Sequence, residues 1–154
     1  IAREEEREML PLCVDEGIGT VVWSPLARGR LARPVEASTP RSGSDPFADM
    51  LYTQQASDRS IIEALWRIAD ARGVGGAQIA LAWLHRNPVV AAPLVGATKL
   101  SHIDDAIASL DIDLSADEVI ALEAPYTPRS DFQGVSDDAV LARLSAQIGI
   151  KPVK

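Results

Sequence analysis

The stretches GTVVW (19–23) and VVAAPLV (89–95) decide the fold class of this chain of 154 residues. Both are short, continuous apolar runs rich in β-branched residues, a pattern that predicts strands buried on both faces. Apolar periodicity predicts helices between and around them, over residues 3–16, 58–72, 76–86, 101–109 and from Ser115 onward. Buried strands that alternate with helices are typical of an α/β fold with parallel strand pairing.

Two buried strands cannot by themselves form a closed or doubly covered sheet. We therefore expect this chain to be part of a larger α/β fold whose other strands lie outside it. The alternative is a small helix-rich domain with a two-stranded core. The opening IAREEEREML (1–10) has no cap residue before its charged helical pattern, so either the N-terminus was processed or a longer protein precedes it.

Composition and charge exclude several classes of function. The chain is 47% hydrophobic without an apolar run long enough for a membrane helix, and its net charge of −7 argues against nucleic-acid or anionic-membrane partners. The acidic opening has no apolar h-region, so we expect no signal peptide. Cys13 is the single cysteine, so we expect a small core residue and no disulfide. These features predict a cytoplasmic protein.

Two serines precede helical patterns and predict where those helices start. Ser115 followed by Glu118 has the spacing of a capping box, in which each residue satisfies a backbone N–H of the other. Ser101 followed by Asp104 is a weaker version of the same pattern. The sequence therefore predicts that both serines occupy N-cap positions.

Each predicted strand leads into a loop whose chemistry suits an anion. The first loop is SPLARG (24–29), and the second is GATK (96–99), which runs into the helix near Ser101. In the second loop a glycine, the hydroxyl of Thr98 and the ammonium of Lys99 meet a helix N-terminus, which favours a phosphate. An ordinary capped turn is the alternative.

With these loops the chain resembles the C-terminal half of an aldo-keto reductase. The likeness rests on WSPLARG, AQIALAWL, APLVGATK and LSADEVIALE in this order, and it covers residues 1–128 but not the tail 129–154. It implies an oxidoreductase with a (β/α)8 TIM barrel of ~250 residues. GTVVW would be the seventh strand and VVAAPLV the eighth, so the barrel would be incomplete in this chain.

The resemblance implies that NADPH binds in extended form at the carboxyl ends of the strands. Trp23 stands where the family packs an aromatic residue on the nicotinamide ring. The SPLARG loop would lie against the pyrophosphate through backbone amides and the hydroxyl of Ser24, and Gly29 would let the backbone come close. Arg41 is placed like a basic residue that holds the adenosine. The cofactor residues implied in this part of the chain are Trp23, Ser24, Pro25, Leu26, Arg28, Gly29 and Arg41.

The second loop resembles the site of the adenosine 2′-phosphate. His102 stands where the family often has arginine or glutamine, and a solvent-facing histidine is the alternative. Asp105 and Ala106 match the pair that contacts adenine, although Ala106 replaces the usual asparagine. The cofactor residues implied here are Gly96, Thr98, Lys99, His102 and Asp105.

Catalysis is the part of the family pattern that this chain lacks. The family reduces carbonyls to alcohols with a tyrosine proton donor tuned by Asp, Lys and His residues, and neither Tyr52 nor Tyr126 matches that tyrosine. The resemblance therefore implies an inactive chain that needs the missing N-terminal half-barrel, or a second chain, to act on a small carbonyl substrate. The alternatives are a non-catalytic NADP(H)-binding protein and a self-assembling half-barrel.

Overall fold

The computed structural model describes residues 1–37 and 56–128 as helices, strands and turns. In chain order the helices and strands are α1 (Met9–Asp15), β1 (Thr20–Val22), α2 (Ala56–Arg72), α3 (Gly76–His85), β2 (Val90–Pro93), α4 (Leu100–Ala108) and α5 (Ala116–Glu123). Short 3-10 turns lie at Glu4–Glu6, Ala27–Gly29 and Ser109–Asp111. The tail 129–154 and most of the segment between β1 and α2 fall outside the described residues.

The two strands are parallel neighbours, which confirms the predicted pairing. Thr20 lies opposite Val90 and Val22 opposite Pro93, with one irregularity between Thr20 and Val21. The N–H of Leu94 donates to the carbonyl of Val22 at 2.9 Å, so pairing continues one residue past β2. Pro93 is the last residue of β2, a position that a residue without an N–H donor tolerates.

The core lies in the helices rather than in the sheet. Ile61, Leu65, Ile68 and Ala69 share the buried face of α2, as the sequence predicts, and they pack with buried residues of α3 and α5. Ile79 of α3 is fully buried at the centre of this cluster. No helix in the described part of the chain is long and apolar enough to cross a membrane.

The prediction that both strands are buried on both faces is wrong. Val21 is 60% exposed, Trp23 51% and Leu94 56%, although all three are large apolar residues. The reason is that β1 packs mainly against β2, and the helices of the core pack mainly against one another and against β2. Within residues 1–37 and 56–128, one side of the sheet therefore stays open.

The predicted helix over residues 3–16 divides into a 3-10 turn at Glu4–Glu6 and the helix α1. Pro11 explains the break, because in an unbroken helix it would lack an N–H donor and would clash with the carbonyl of Arg7. In the observed helix Pro11 occupies the first turn, where it is tolerated. Cys13 is buried as predicted, whereas Met9 and Val14, expected on the same stripe, are exposed.

The N-terminal residues are tied to the end of the described chain by Arg3. Its guanidinium lies 5.2 Å from the ring centroids of both Trp83 and Tyr126. It also pairs with Glu6 at 2.7 Å and with Glu123 at 3.3 Å. These contacts stabilise the packing of the N-terminal segment against α3 and α5.

The two predicted N-caps differ in outcome. Ser115 caps α5 with a complete capping box, as the sequence predicts. The prediction for Ser101 is wrong, because α4 already begins at Leu100 and Lys99 occupies its N-cap position without a side-chain bond. Ser101 thus lies inside the first turn, where its backbone is helical and its side chain cannot adopt the cap geometry.

Candidate functional site

The two predicted cofactor loops leave the sheet at the same edge. Because β1 and β2 are parallel and Val22 lies opposite Pro93, the first loop begins at Trp23 beside the start of the second loop at Leu94. The carboxyl ends of parallel strands are where α/β proteins bind ligands. The sheet therefore brings together two sequence segments about seventy residues apart, as the sequence predicts.

The first loop has a strained backbone. Ser24, Ala27 and Arg28 have φ angles of 52°, 48° and 54°, in a region that favours glycine, and Gly29 follows at 89°. Such residues each cost about 1 kcal/mol or more and persist only where their surroundings hold them. Here Ala27 is buried and Leu26 packs against the helical core. Strain of this kind is concentrated at functional sites.

Hydrogen bonds within the first loop close it into a rigid turn. The hydroxyl of Ser24 accepts from the N–H of Arg28 at 3.2 Å, and the carbonyl of Ser24 accepts from the N–H of Ala27 at 2.9 Å. The N–H of Gly29 donates to the carbonyl of Leu26, also at 2.9 Å. The N–H groups of Ala27, Arg28 and Gly29 are thus engaged inside the loop. Pro25 is half-buried beside them.

The second loop presents an open helix N-terminus. Gly96, Thr98 and Lys99 are all exposed, and Lys99 is extended at φ −140°, ψ 152° before α4 begins. The side chain of Lys99 does not cap the helix, and no acidic residue lies in the first turn of α4. A Cβ on Gly96 would meet nothing within 4 Å, so packing does not explain this glycine. Helix N–H groups next to an ammonium group make a site that suits an anion.

His102 lies in the first turn of α4 and faces the second loop. Its ring Nδ1 accepts a long hydrogen bond, 3.4 Å, from the backbone N–H of Thr98. The backbone N–H of His102 donates to the carbonyl of Lys99 at 3.1 Å. The imidazole is exposed and lies beside Thr98.

Asp105 is held by a residue that the sequence did not single out. The Nε2 of Gln78, on α3, donates to Oδ1 of Asp105 at 2.7 Å, and both residues are half-buried. The sequence signal that could have singled out Gln78 is its position as a polar residue near the start of an otherwise apolar helix. Ala106 also lies half-buried on α4. Arg41 lies outside the described residues.

Tyr126 is a structural residue. Its hydroxyl donates to Oε1 of Glu4 at 2.7 Å, and its ring carries the guanidinium of Arg3. Burial and the carboxylate of Glu4 raise the pKa of Tyr126 to about 12. The phenol therefore keeps its proton and anchors the N-terminus. Tyr52 lies outside the described residues.

A groove of about 500 Å³ lies between residues 34–36 and α2. One of its cations, Arg59, pairs at 2.8 Å with both Glu36 and Glu63. Elsewhere too, no group of three metal-ligating side chains occurs in the part of the chain that the structure describes. The loops at the sheet edge are the better candidate site.

Residues 1–126 match the sequence pattern of the Aldo/keto reductase family. The chain belongs to this family. It is 42% identical over 137 residues to a versiconal hemiacetal acetate reductase of Aspergillus parasiticus, a match that covers 87% of this chain and 40% of that protein. It is 39% identical over 133 residues to a putative aryl-alcohol dehydrogenase of Schizosaccharomyces pombe, covering 82% of this chain and 36% of that protein. The chain thus spans about two fifths of the length of these relatives.

Solved structures place the fold among the barrels of the family. A thermostable aldo-keto reductase crystallised with the inhibitor epalrestat aligns with a TM-score of 0.56 and 25% identity, over 80% of this chain and 36% of that one. A glycerol dehydrogenase of Gluconobacter oxydans aligns with a TM-score of 0.63 and 19% identity, over 83% and 42% of the two chains. The α/β architecture is that of an aldo-keto reductase.

Proposed function

We propose that this chain is the cofactor-binding part of an NADPH-dependent aldo-keto reductase that reduces a small carbonyl compound to an alcohol. The observation that carries the proposal is the convergence of two loops at one edge of a parallel sheet, one with a strained turn and one with an open helix N-terminus. The family membership makes a nicotinamide dinucleotide the ligand to expect at such an edge.

The second loop fits the 2′-phosphate of NADPH. Lys99 contributes a positive charge, Thr98 a hydroxyl and α4 its first N–H groups, and the first turn holds no carboxylate to repel the phosphate. His102 stands at the same helix start. This set favours NADPH over NADH, which lacks that phosphate.

The first loop fits the other end of the cofactor. Trp23 exposes half of its surface at the end of β1, so its indole face is available for a planar nicotinamide ring. Arg28 follows on the closed turn, where its side chain suits the pyrophosphate. When bound, the cofactor would supply the hydride, while these residues bind and orient it.

The open side of the sheet supports the proposal that the barrel is incomplete in this chain. Val21 and Leu94 expose apolar surface that a complete barrel would cover, and the chain spans about two fifths of its relatives. We therefore propose that residues 1–128 form the seventh and eighth barrel units. The catalytic tyrosine and its partners would come from an N-terminal half-barrel or from a second chain.

The test is a calorimetric titration of the 154-residue chain with NADPH and with NADH. We expect NADPH to bind about 10-fold more tightly or better, because a charge-assisted contact to phosphate is worth about 1.5–3 kcal/mol. Lys99→Ala should remove most of that preference, whereas Arg67→Ala, which removes a cation from α2, should leave it unchanged. Equal affinities for the two dinucleotides in the unmodified chain would refute the 2′-phosphate site.

An activity assay tests whether the catalytic residues lie outside this chain. If another part completes the barrel, the chain alone should bind NADPH and reduce no aldehyde or ketone. Sedimentation then separates the remaining possibilities, because a self-assembling half-barrel would sediment as a dimer at micromolar concentration. Carbonyl reduction by the monomeric chain would contradict the proposal that the catalytic residues lie elsewhere.

A further inference from the structure

Gln78 links the two helices that flank the second strand. It lies on α3, whose sequence GAQIALAWLH is otherwise almost entirely apolar, and its amide donates to Oδ1 of Asp105 on α4 at 2.7 Å. Both side chains are half-buried, so the bond is partly shielded from water. A hydrogen bond to a carboxylate in such a setting restricts the rotamer of the acid.

The turn that carries Gln78 is fixed by close packing. A Cβ on the buried Gly76 would lie 2.8 Å from the carbonyl oxygen of Leu31 and 2.8 Å from Cε2 of Trp66, so only glycine fits. Leu31 in turn donates its N–H to the carbonyl of Leu26 in the first loop, at 3.3 Å. The first turn of α3 therefore contacts Leu31, which is bonded to the first loop, and holds Asp105 through Gln78.

We propose that Gln78 is a positioning residue for recognition of the adenine base. The inference rests on the proposed function, since it takes Asp105 as the contact to adenine. Gln78 occupies Oδ1 of Asp105 and leaves Oδ2 to accept from the exocyclic amino group of the base. Ala106 has no amide with which to read the base edge, so the purine preference of the site depends on how firmly Asp105 is held.

The chemistry of the base supplies a direct test. Adenine has a 6-amino group that donates to a carboxylate, whereas hypoxanthine has an oxygen at that position and would face it with a second acceptor. A site built to accept from that amino group discriminates against an analogue that lacks it. We expect the chain to bind NADPH about 10-fold more tightly than its hypoxanthine analogue.

Gln78→Met keeps the length of the side chain and its helix propensity but removes the donor. The preference for NADPH over the hypoxanthine analogue should fall to about 2-fold, while the preference for NADPH over NADH and the melting temperature stay unchanged. Gln78→Glu provides a second variant, because it keeps the shape, cannot donate and repels Asp105. Asp104→Asn is the matched control, since it removes the neighbouring exposed charge of α4 without touching Asp105.

The outcomes separate this inference from the proposed function. If the unmodified chain does not bind NADPH, both fail together. If it prefers NADPH to NADH but Gln78→Met leaves the base preference intact, only the role of Gln78 is refuted. Equal weakening of both dinucleotides with a lower melting temperature would make Gln78 a packing residue and would also overturn the inference.

Discussion

Helices α4 and α5 begin sixteen residues apart, yet their N-termini are built in opposite ways. At α5 the hydroxyl of Ser115 accepts from the N–H of Glu118 at 3.3 Å, and Oε2 of Glu118 accepts from the N–H of Ser115 at 2.7 Å. Asp117 adds a second negative charge to that turn. At α4 the N-cap is Lys99, without a side-chain bond and without an acid in the first turn.

The difference shows how one physical problem has two solutions. Every helix begins with N–H groups that have no partner within the helix. In α5 the chain itself supplies a side-chain acceptor and two negative charges, so the field at this terminus disfavours an anion. In α4 no side chain caps the first turn, no acid lies in it and Lys99 adds a positive charge, so this terminus suits an external anion better than that of α5.

The largest expected effect comes from building the α5 solution into α4. The double substitution Lys99→Ser and His102→Glu copies the capping box at the correct spacing. We expect NADPH affinity to fall about 100-fold, because donors are occupied and a carboxylate faces the phosphate. NADH affinity should change little, and the unfolding free energy should rise by about 0.5–1 kcal/mol. Undiminished NADPH binding by this variant, measured by calorimetry, would show that the uncapped N-terminus of α4 does not bind the phosphate.

The next largest effect concerns the capped N-terminus of α5. Glu118 caps Ser115 and also forms two 2.6 Å bonds with Arg72 of α2. Glu118→Ala should lower the unfolding free energy by about 1–2 kcal/mol, the sum of a lost cap and a mostly exposed ion pair, as measured by urea denaturation. Asp117→Asn, which removes an acid from the same turn, should change it by less than about 0.5 kcal/mol. Equal effects of the two would mean that charge alone matters.

Glu118 also predicts a pH dependence. Its hydrogen bond from Arg72 is the main cause that lowers the pKa of Glu118 from 4.5 to about 2. A lowered carboxylate pKa stabilises the fold above pH 4.5, and this contribution is lost as the pH falls toward 2. The difference in unfolding free energy between the unmodified chain and Glu118→Gln should therefore shrink over that interval. A difference independent of pH would show that the ion pair contributes nothing.

The smallest effect distinguishes the two serines. Ser115→Ala should cost about 1 kcal/mol because it removes the hydroxyl that caps α5. Ser101→Ala should be neutral or slightly stabilising, because Ser101 lies inside the first turn of α4 and alanine is the better helix former. Thermal unfolding of the pair decides the matter, and a large loss at Ser101 would mean that α4 begins later than Leu100.

Sequence patterns predicted much of this fold because their causes are local. The buried face of α2 follows from a 3.6-residue period, and the capping box at Ser115 from a spacing of three. The same reasoning failed at Ser101, which lacks a complete capping box, because the N-cap of α4 is Lys99, two residues earlier. It also failed at Val21, because an apolar run indicates that a strand is suited to burial but does not show which other segment covers it.

The candidate site divides in the same way. Its residue types and the order of its loops, from Trp23 to Lys99, were available from the sequence, and so was the family they indicate. The contact between Gln78 and Asp105 was not, since it joins two helices across β2. Nor were the internal bonds that close the first loop, because they depend on the positive φ angles at Ala27 and Arg28.

What the sequence by itself determined is therefore the list of helices and strands, their parallel arrangement and the chemistry of the two loops, because periodicity, caps and charge act over a few residues. What only the tertiary structure decided is which faces stay open and which distant side chains meet. One side of the sheet is exposed among the described residues, and Gln78 of α3 bonds to Asp105 of α4. These features depend on contacts between segments far apart in the chain, which no local pattern encodes.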